Sequence, residues 1–228
     1  MNYEEVKNRI LFEDNHLIAF NKPAGILVQP NPEGEESLEI ILKEFLKLRD
    51  QKPSNVYLGV IHRLDRNVSG LVIFAKTSKA LARMNELFKS REMKKTYYAI
   101  VKNKPKQSEG KIESYLLKDS KNNISKSFSN SVKGSKLSQT MYRLICASES
   151  YFLLEITPLT GRHHQIRLHL SEIGIPIAGD LKYGAARSNK DGGISLHSKS
   201  LEFLHPVKKE MIKIDCPMPN YGIWQYFS

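Results

Sequence analysis

Apolar residues recur along the chain in short runs separated by charged turns, and the spacing within each run predicts a strand or a helix. Leu11 to Val28 reads as two short strands around a turn: Leu17-Ile18-Ala19-Phe20 is apolar, and Lys22-Pro23-Ala24-Gly25 supplies the breakers, so that Lys22 projects from a turn. From Ser37 to Leu48, the residues Leu38, Ile41, Leu42, Phe45 and Leu46 fall at helical spacing behind Ser37, a suitable N-cap. Val56 to Ile61 and Leu71 to Ala75 read as strands, and the polar segment His62 to Gly70 crowds the joint between them. Thr77 or Ser78 caps a helix to about Arg91, with Leu81, Met84, Leu87 and Phe88 as its buried stripe. Lys94 to Val101 turns back into a strand.

Between Lys118 and Lys136 the chain is rich in Ser, Asn and Lys and reads as a long mobile loop. Alternation resumes at Met141 and again from Tyr151 to Thr157. Thr160-Gly161-Arg162 then opens a helix through Ile173, with Ile166, Leu170 and Ile173 buried and Gly174 ending it. Ser195 to Pro217 holds two strand-like runs around His205-Pro206. The irregular alternation of strands and helices predicts an α+β, mixed α/β fold: one domain over residues 1–228, a mixed sheet flanked by helices.

Composition narrows the class. At 228 residues and 40% hydrophobic, the chain can bury a sizeable core. Its longest strongly apolar run, Leu71 to Ala75, is far too short for a membrane span, and Met1 to Arg9 lacks the apolar stretch of a secretory signal. Cys146 and Cys216 make neither a disulfide framework nor a Cys-x-x-Cys knuckle, so the cytoplasm is the expected compartment. The net charge of +11, with a pI near 9.5, points to a polyanionic partner. Neither Gly-x-Gly-x-x-Gly nor a Walker loop occurs, so no nucleotide cofactor is expected.

Two segments concentrate chemistry. In His62 to Gly70, Asp65 sits beside Arg63, Arg66 and His62, cations that favour an ionised carboxylate usable as nucleophile or base; a salt-bridged turn is the plainer alternative. In Thr160 to His169, a helix would place His163 and Arg167 four residues apart on one face, and Arg162 near its N-terminus would favour a phosphate or carboxylate. His163, His164 and His169 suggest a metal only weakly: no pair is spaced by four, and no Cys or carboxylate nearby completes a set. Of Tyr97 and Tyr98, adjacent on a strand, one faces the core and the other a cleft.

Together these segments resemble the RluA-type pseudouridine synthase family, which isomerises selected uridines in ribosomal and transfer RNA. Leu11 to Pro30 is similar to the family's opening segment with its Lys-Pro-x-Gly turn, and HRLDRNVSGLVIFAK (62–76) to its signature around the catalytic aspartate. Lys95-Thr96-Tyr97 resembles its Lys-x-Tyr strand, TGRHHQIRLHLSEIGIPIAGDLKYG (160–184) its third motif, and Leu196-His197 with His205-Pro206 its closing segment. The resemblance implies the pseudouridine synthase catalytic fold: a largely antiparallel sheet flanked by helices, with a central RNA-binding cleft. It also implies an RNA substrate and no cofactor or metal. Asp65 matches the catalytic aspartate, Arg167 the arginine that pairs with it, and Tyr97 the tyrosine that stacks on the target base. Arg63 matches the residue that fills the gap left by the flipped nucleotide, with His62 beside it; Arg162, His163 and Gln165 are candidate RNA contacts.

There are departures. Val68 stands where the family usually has Thr, and His163 where a small hydroxyl residue is usual, so neither hydroxyl is essential here. The catalytic core starts almost at Met1, so a separate N-terminal RNA-binding module is not expected, and nothing marks a dimer seam. Two rivals differ in class. A catalytically silent RNA-binding or ribosome-assembly protein on the same fold is opposed by intact Asp65, Tyr97 and Arg167, and a metal-dependent nuclease by the lack of a carboxylate cluster.

Overall fold

The computed structural model describes residues 1–227, which divide into two compact units, 1–94 with 198–217 and 95–197 with 218–227. The chain forms α1 (Tyr3–Lys7), β1 (Ile10–Glu13), β2 (Leu17–Lys22), α2 (Leu38–Arg49), β3 (Gly59–Val60), β4 (Ser69–Ala75), α3 (Ser78–Ser90) and β5 (Lys94–Val101). It continues through β6 (Glu109–Asp119), β7 (Ile124–Phe128), β8 (Lys136–Ala147), β9 (Phe152–Pro158), α4 (Gln165–Glu172), β10 (Leu196–Leu204) and β11 (Met211–Asp215). Short 3-10 turns cover Leu181–Tyr183 and Gly222–Tyr226. The fold is α+β, with a few short helices and antiparallel strand pairings. Among the described residues no helix is long and apolar enough to cross a membrane.

In the first unit the strand order is β1-β2-β4-β10, with β3 on β4 and β11 on β10. Every residue of β4 is buried, and its alternate side chains explain why. Leu71, Ile73 and Ala75 join Leu17 and Ala19 of β2, Leu201 and Phe203 of β10, and Ala80 and Met84 of α3 in one core. Ile18, Phe20, Val72 and Phe74, pointing the other way, are fully buried too, so both faces of these strands are covered. The expected helices form where periodicity and caps agree: the Ser37 and Thr77 side chains accept from the Ile40 and Ala80 amides. The hairpin turn lies at Asp14, whose carboxylate takes the His16 and Leu17 amides at 2.7 and 2.8 Å, so β2 runs on through Lys22.

Gly70 lets β10 lie close. It adopts φ +109°, and a Cβ there would sit 2.4 Å from the Ser198 carbonyl oxygen. Gly70→Ala is therefore expected to destabilise the protein by about 2–4 kcal/mol, a strained conformation plus overpacking against backbone. A lowered urea midpoint at unchanged slope would show it, and an unchanged midpoint would refute it.

The second unit orders its strands β5-β9-β8-β6-β7. Ile100, Leu153 and Trp224 form a small core with Tyr98 packed against it. The stretch 118–136, which reads as a mobile loop, holds a strand: β6 continues to Asp119, and Tyr115–Asp119 pair with Ile124–Phe128 of β7. The strand escapes notice because Ser125, nearly fully buried, is satisfied by polar contacts instead of an apolar core; its amide donates to the Tyr183 hydroxyl at 2.8 Å. The helix expected from Thr160 begins only at Gln165, since His164 takes a left-handed conformation (φ 53°) and stops it extending backwards.

Candidate active site

In the first unit the chemistry gathers where β2 ends and where β3 passes to β4. Asp65 is half-buried on that joint, and its carbonyl accepts from the Val68 amide at 3.1 Å. The next carbonyl, of Arg66, accepts from the Gly25 amide at 2.8 Å and from the Lys22 ammonium at 3.0 Å. Lys22 does not project from its turn. It is fully buried, and its Nζ also donates to the carbonyls of Pro23 and Ile26 at 3.0 and 2.8 Å. Three hydrogens meeting three carbonyls tie the Lys-Pro-x-Gly turn to the backbone one residue past Asp65. Arg66 is held from outside by Glu35, both carboxylate oxygens lying 2.7 Å from one guanidinium nitrogen.

Burial pulls the Lys22 ammonium down to about 7, with Asp65 pulling the other way and Arg66 adding to the fall. A base with its pKa lowered in the fold holds fewer protons than the unfolded chain between that value and its ordinary 10.5. The penalty is fully present below pH 7 and is relieved as pH rises through that window. The stability of wild type relative to Lys22→Met is thus expected to increase from pH 7 to pH 10, read from denaturant midpoints; a flat difference would contradict it.

His62 is a structural anchor as well as a neighbour of Asp65. Its Nε2 accepts from the Ile73 amide at 3.1 Å, and its ring stacks on Phe88 at 5.1 Å. Arg63 is exposed.

The second unit holds Tyr97, Arg162, His163, Gln165 and Arg167. Tyr97 and Tyr98 divide as the strand period requires: Tyr98 packs on the core of Ile100 and Trp224, and half-buried Tyr97 lies on the opposite face. Arg167, in the first turn of α4, is 7% exposed, and its Nε and one terminal nitrogen bond Asp180 at 2.7 and 2.8 Å. Asp180 itself is 1% exposed. This bidentate clamp fixes the guanidinium plane, and the Tyr183 ring lies 5.1 Å from its central carbon.

Gln165 is placed differently from expectation. It is buried, and its amide is saturated: Oε1 accepts from Thr160 Oγ1 at 2.7 Å and the Arg162 amide at 3.0 Å, while Nε2 donates to Gln139 O and Thr140 Oγ1. It therefore pins the 160–164 loop ahead of α4 and has no donor left for RNA. Arg162 Nε donates to the Leu137 carbonyl at 3.2 Å, so the side chain lies along β8 instead of on a helix.

His163 and His164 stack at 3.8 Å, but the three histidines bond different partners. His163 meets Asn123 and Ser125, His164 meets Tyr183, and His169 sits between Ser114 and Thr140, where burial pulls its pKa down to about 4 and keeps it neutral. Among the described residues no three His, Cys, Asp or Glu side chains are grouped to hold a metal ion. Sequence reasoning missed Asp180, Tyr183 and the burial of Lys22. The signal for Asp180 was its place in the Gly-Asp-Leu-Lys-Tyr-Gly segment of the third motif.

The sequence model of a family described as RNA pseudouridylate synthase matches residues 16–172. A ribosomal large subunit pseudouridine synthase C of Vibrio parahaemolyticus is 33% identical over 95% of this chain and 67% of its own length. A tRNA pseudouridine synthase C of Vibrio cholerae is 31% identical over 95% of this chain and 92% of its own. The solved structure of human RNA pseudouridylate synthase domain containing 4 shares the fold, with a TM-score of 0.80 at 24% identity, covering 97% of this chain and 93% of that one.

Proposed function

The chain belongs to the RNA pseudouridylate synthase family and converts uridine in RNA to pseudouridine, and we propose that Asp65 carries that reaction on a uridine of ribosomal or transfer RNA. The observation that supports this assignment is Asp65 itself: a half-buried carboxylate, inside the matched segment, on a turn whose backbone a buried lysine grips.

The isomerisation breaks the bond from uracil nitrogen 1 to the ribose, turns the base over, and rejoins it through carbon 5, from which a proton leaves. Nothing is gained or lost overall. Whether the carboxylate attacks ribose carbon 1 or removes the proton from carbon 2, it acts in its ionised form. The target base must first leave its stack, which costs a few kcal/mol and is offset by new stacking and by filling the gap. In this reading Tyr97 stacks on the base and exposed Arg63 occupies the gap. Arg167 keeps the role the resemblance gives it, partner of the catalytic carboxylate, with Asp180 fixing its orientation. Exposed cations grip the phosphates, so affinity falls as salt rises.

The family match runs from the first unit into the second, which supports one catalytic domain built from both. Two free cysteines and an RNA substrate support a cytoplasmic place of action.

The test is release of tritium from RNA labelled at uridine carbon 5, without metal or methyl donor. Release, followed by mapping of the new pseudouridine in ribosomal or transfer RNA, is expected. No release from RNA lacking the modification, despite salt-sensitive binding, would favour the silent RNA-binding protein.

A further inference from the structure

His164 stands out by its backbone and by what its side chain does. It precedes α4 in the N-cap position, where Ser, Thr, Asp or Asn would bond a helix amide, yet it makes no such bond. It also holds φ 53°, a left-handed conformation that a residue with a Cβ adopts at a cost. Its ring is committed elsewhere. Nδ1 lies 2.9 Å from the Tyr183 hydroxyl, and the two rings meet edge to face at 5.5 Å.

The Tyr183 hydroxyl also accepts from the Ser125 amide at 2.8 Å. Shared between the Ser125 amide and His164 Nδ1, the phenol oxygen is held by two partners. The face of that ring lies 5.1 Å from the Arg167 guanidinium, three residues beyond His164, and Asp180 grips the same guanidinium from its edge. His163 stacks on the other histidine at 3.8 Å and is itself tied to Ser125, which braces one face of the His164 ring.

We propose that His164 is a positioning residue for the isomerisation: through the Tyr183 hydroxyl it holds the aromatic surface on which Arg167 rests, and so fixes the guanidinium that serves the catalytic carboxylate. This rests on the assignment of Arg167 given above. The strained backbone of His164 follows from that task, because it aims Nδ1 at the phenol from immediately before the helix that carries Arg167.

Substitutions separate the ring's bond from the backbone's shape. Glycine adopts positive φ freely but has no ring, whereas asparagine tolerates the same conformation and places a polar atom near the position of Nδ1. Measured by tritium release, His164→Gly and Tyr183→Phe are expected to lose roughly ten-fold in kcat with KM within about two-fold of wild type, and His164→Asn to stay within about three-fold. Thermal melting of all three variants accompanies the kinetics, and each is expected to remain folded. Tyr183→Phe keeps the aromatic face and removes the hydroxyl with its bonds to His164 and to the Ser125 amide, so it tests the proposal, beside the two His164 variants, even where a glycine variant fails to fold. Wild-type kcat in Tyr183→Phe, or equal loss in His164→Asn and His164→Gly, overturns the positioning role while leaving the enzyme assignment intact. Wild-type kcat in Arg167→Lys overturns the assignment of Arg167, and this inference with it.

Discussion

Asp65→Asn is expected to abolish tritium release, by at least roughly a thousand-fold, while leaving RNA affinity near wild type. The substitution keeps shape and removes only the ionised oxygen that either route requires. The turn bearing Asp65 is held through backbone groups, with the Arg66 carbonyl taking Lys22 Nζ and the Gly25 amide, and neither bond involves the Asp65 carboxyl. Melting curves recorded beside the activity report whether the variant keeps its fold. Asp65→Glu offers the complementary test, since it restores the charge but shifts it by a methylene. An enzyme that depends on geometry as well as charge loses most of its rate there too. Near-normal release by Asp65→Asn would remove Asp65 from the chemistry.

Asp180→Leu is expected to cost about 3–5 kcal/mol of stability and nearly all activity. Arg167 is 7% exposed, and the substitution strips away the carboxylate that grips two of its nitrogens at 2.7 and 2.8 Å. A guanidinium left without that partner pays for its desolvation and loses its fixed plane on Tyr183. The double variant Arg167→Met with Asp180→Leu should recover part of the stability, because the buried charge is gone along with its partner, but none of the activity. Urea denaturation and tritium release on the three variants read the two effects separately. If the double variant is less stable than Asp180→Leu alone, the loss comes from packing and not from a buried charge deprived of its clamp.

Much of this fold was legible in the sequence because its cores are built from apolar periodicity. Helices α2 and α3 were marked by their spacing and by Ser37 and Thr77; β4 by an unbroken apolar run; β5, β10 and β11 by strand patterns between breakers. The motifs around Asp65, Tyr97 and Arg167 identified the family, whose sequence model spans all three.

Periodicity records only which side chains avoid water, however, and several decisive positions avoid it by polar means. Ser125 in β7 is buried because Tyr183 and His163 satisfy it, so a strand read as a loop. Lys22 is buried because three carbonyls receive its ammonium, so a core residue read as an exposed one. Gln165 is saturated by four partners, which turned an expected RNA contact into a pin, and the left-handed His164 moved the start of α4 past Arg162 and His163. Asp180 became visible as the clamp on Arg167 only once thirteen residues of chain had folded back. The sequence by itself determined the family, the apolar cores and the candidate carboxylate, since each is written in local residue types and spacing. Tertiary structure decided which polar groups are buried and what holds them, because a long-range hydrogen bond leaves no local pattern in either of the residues it joins.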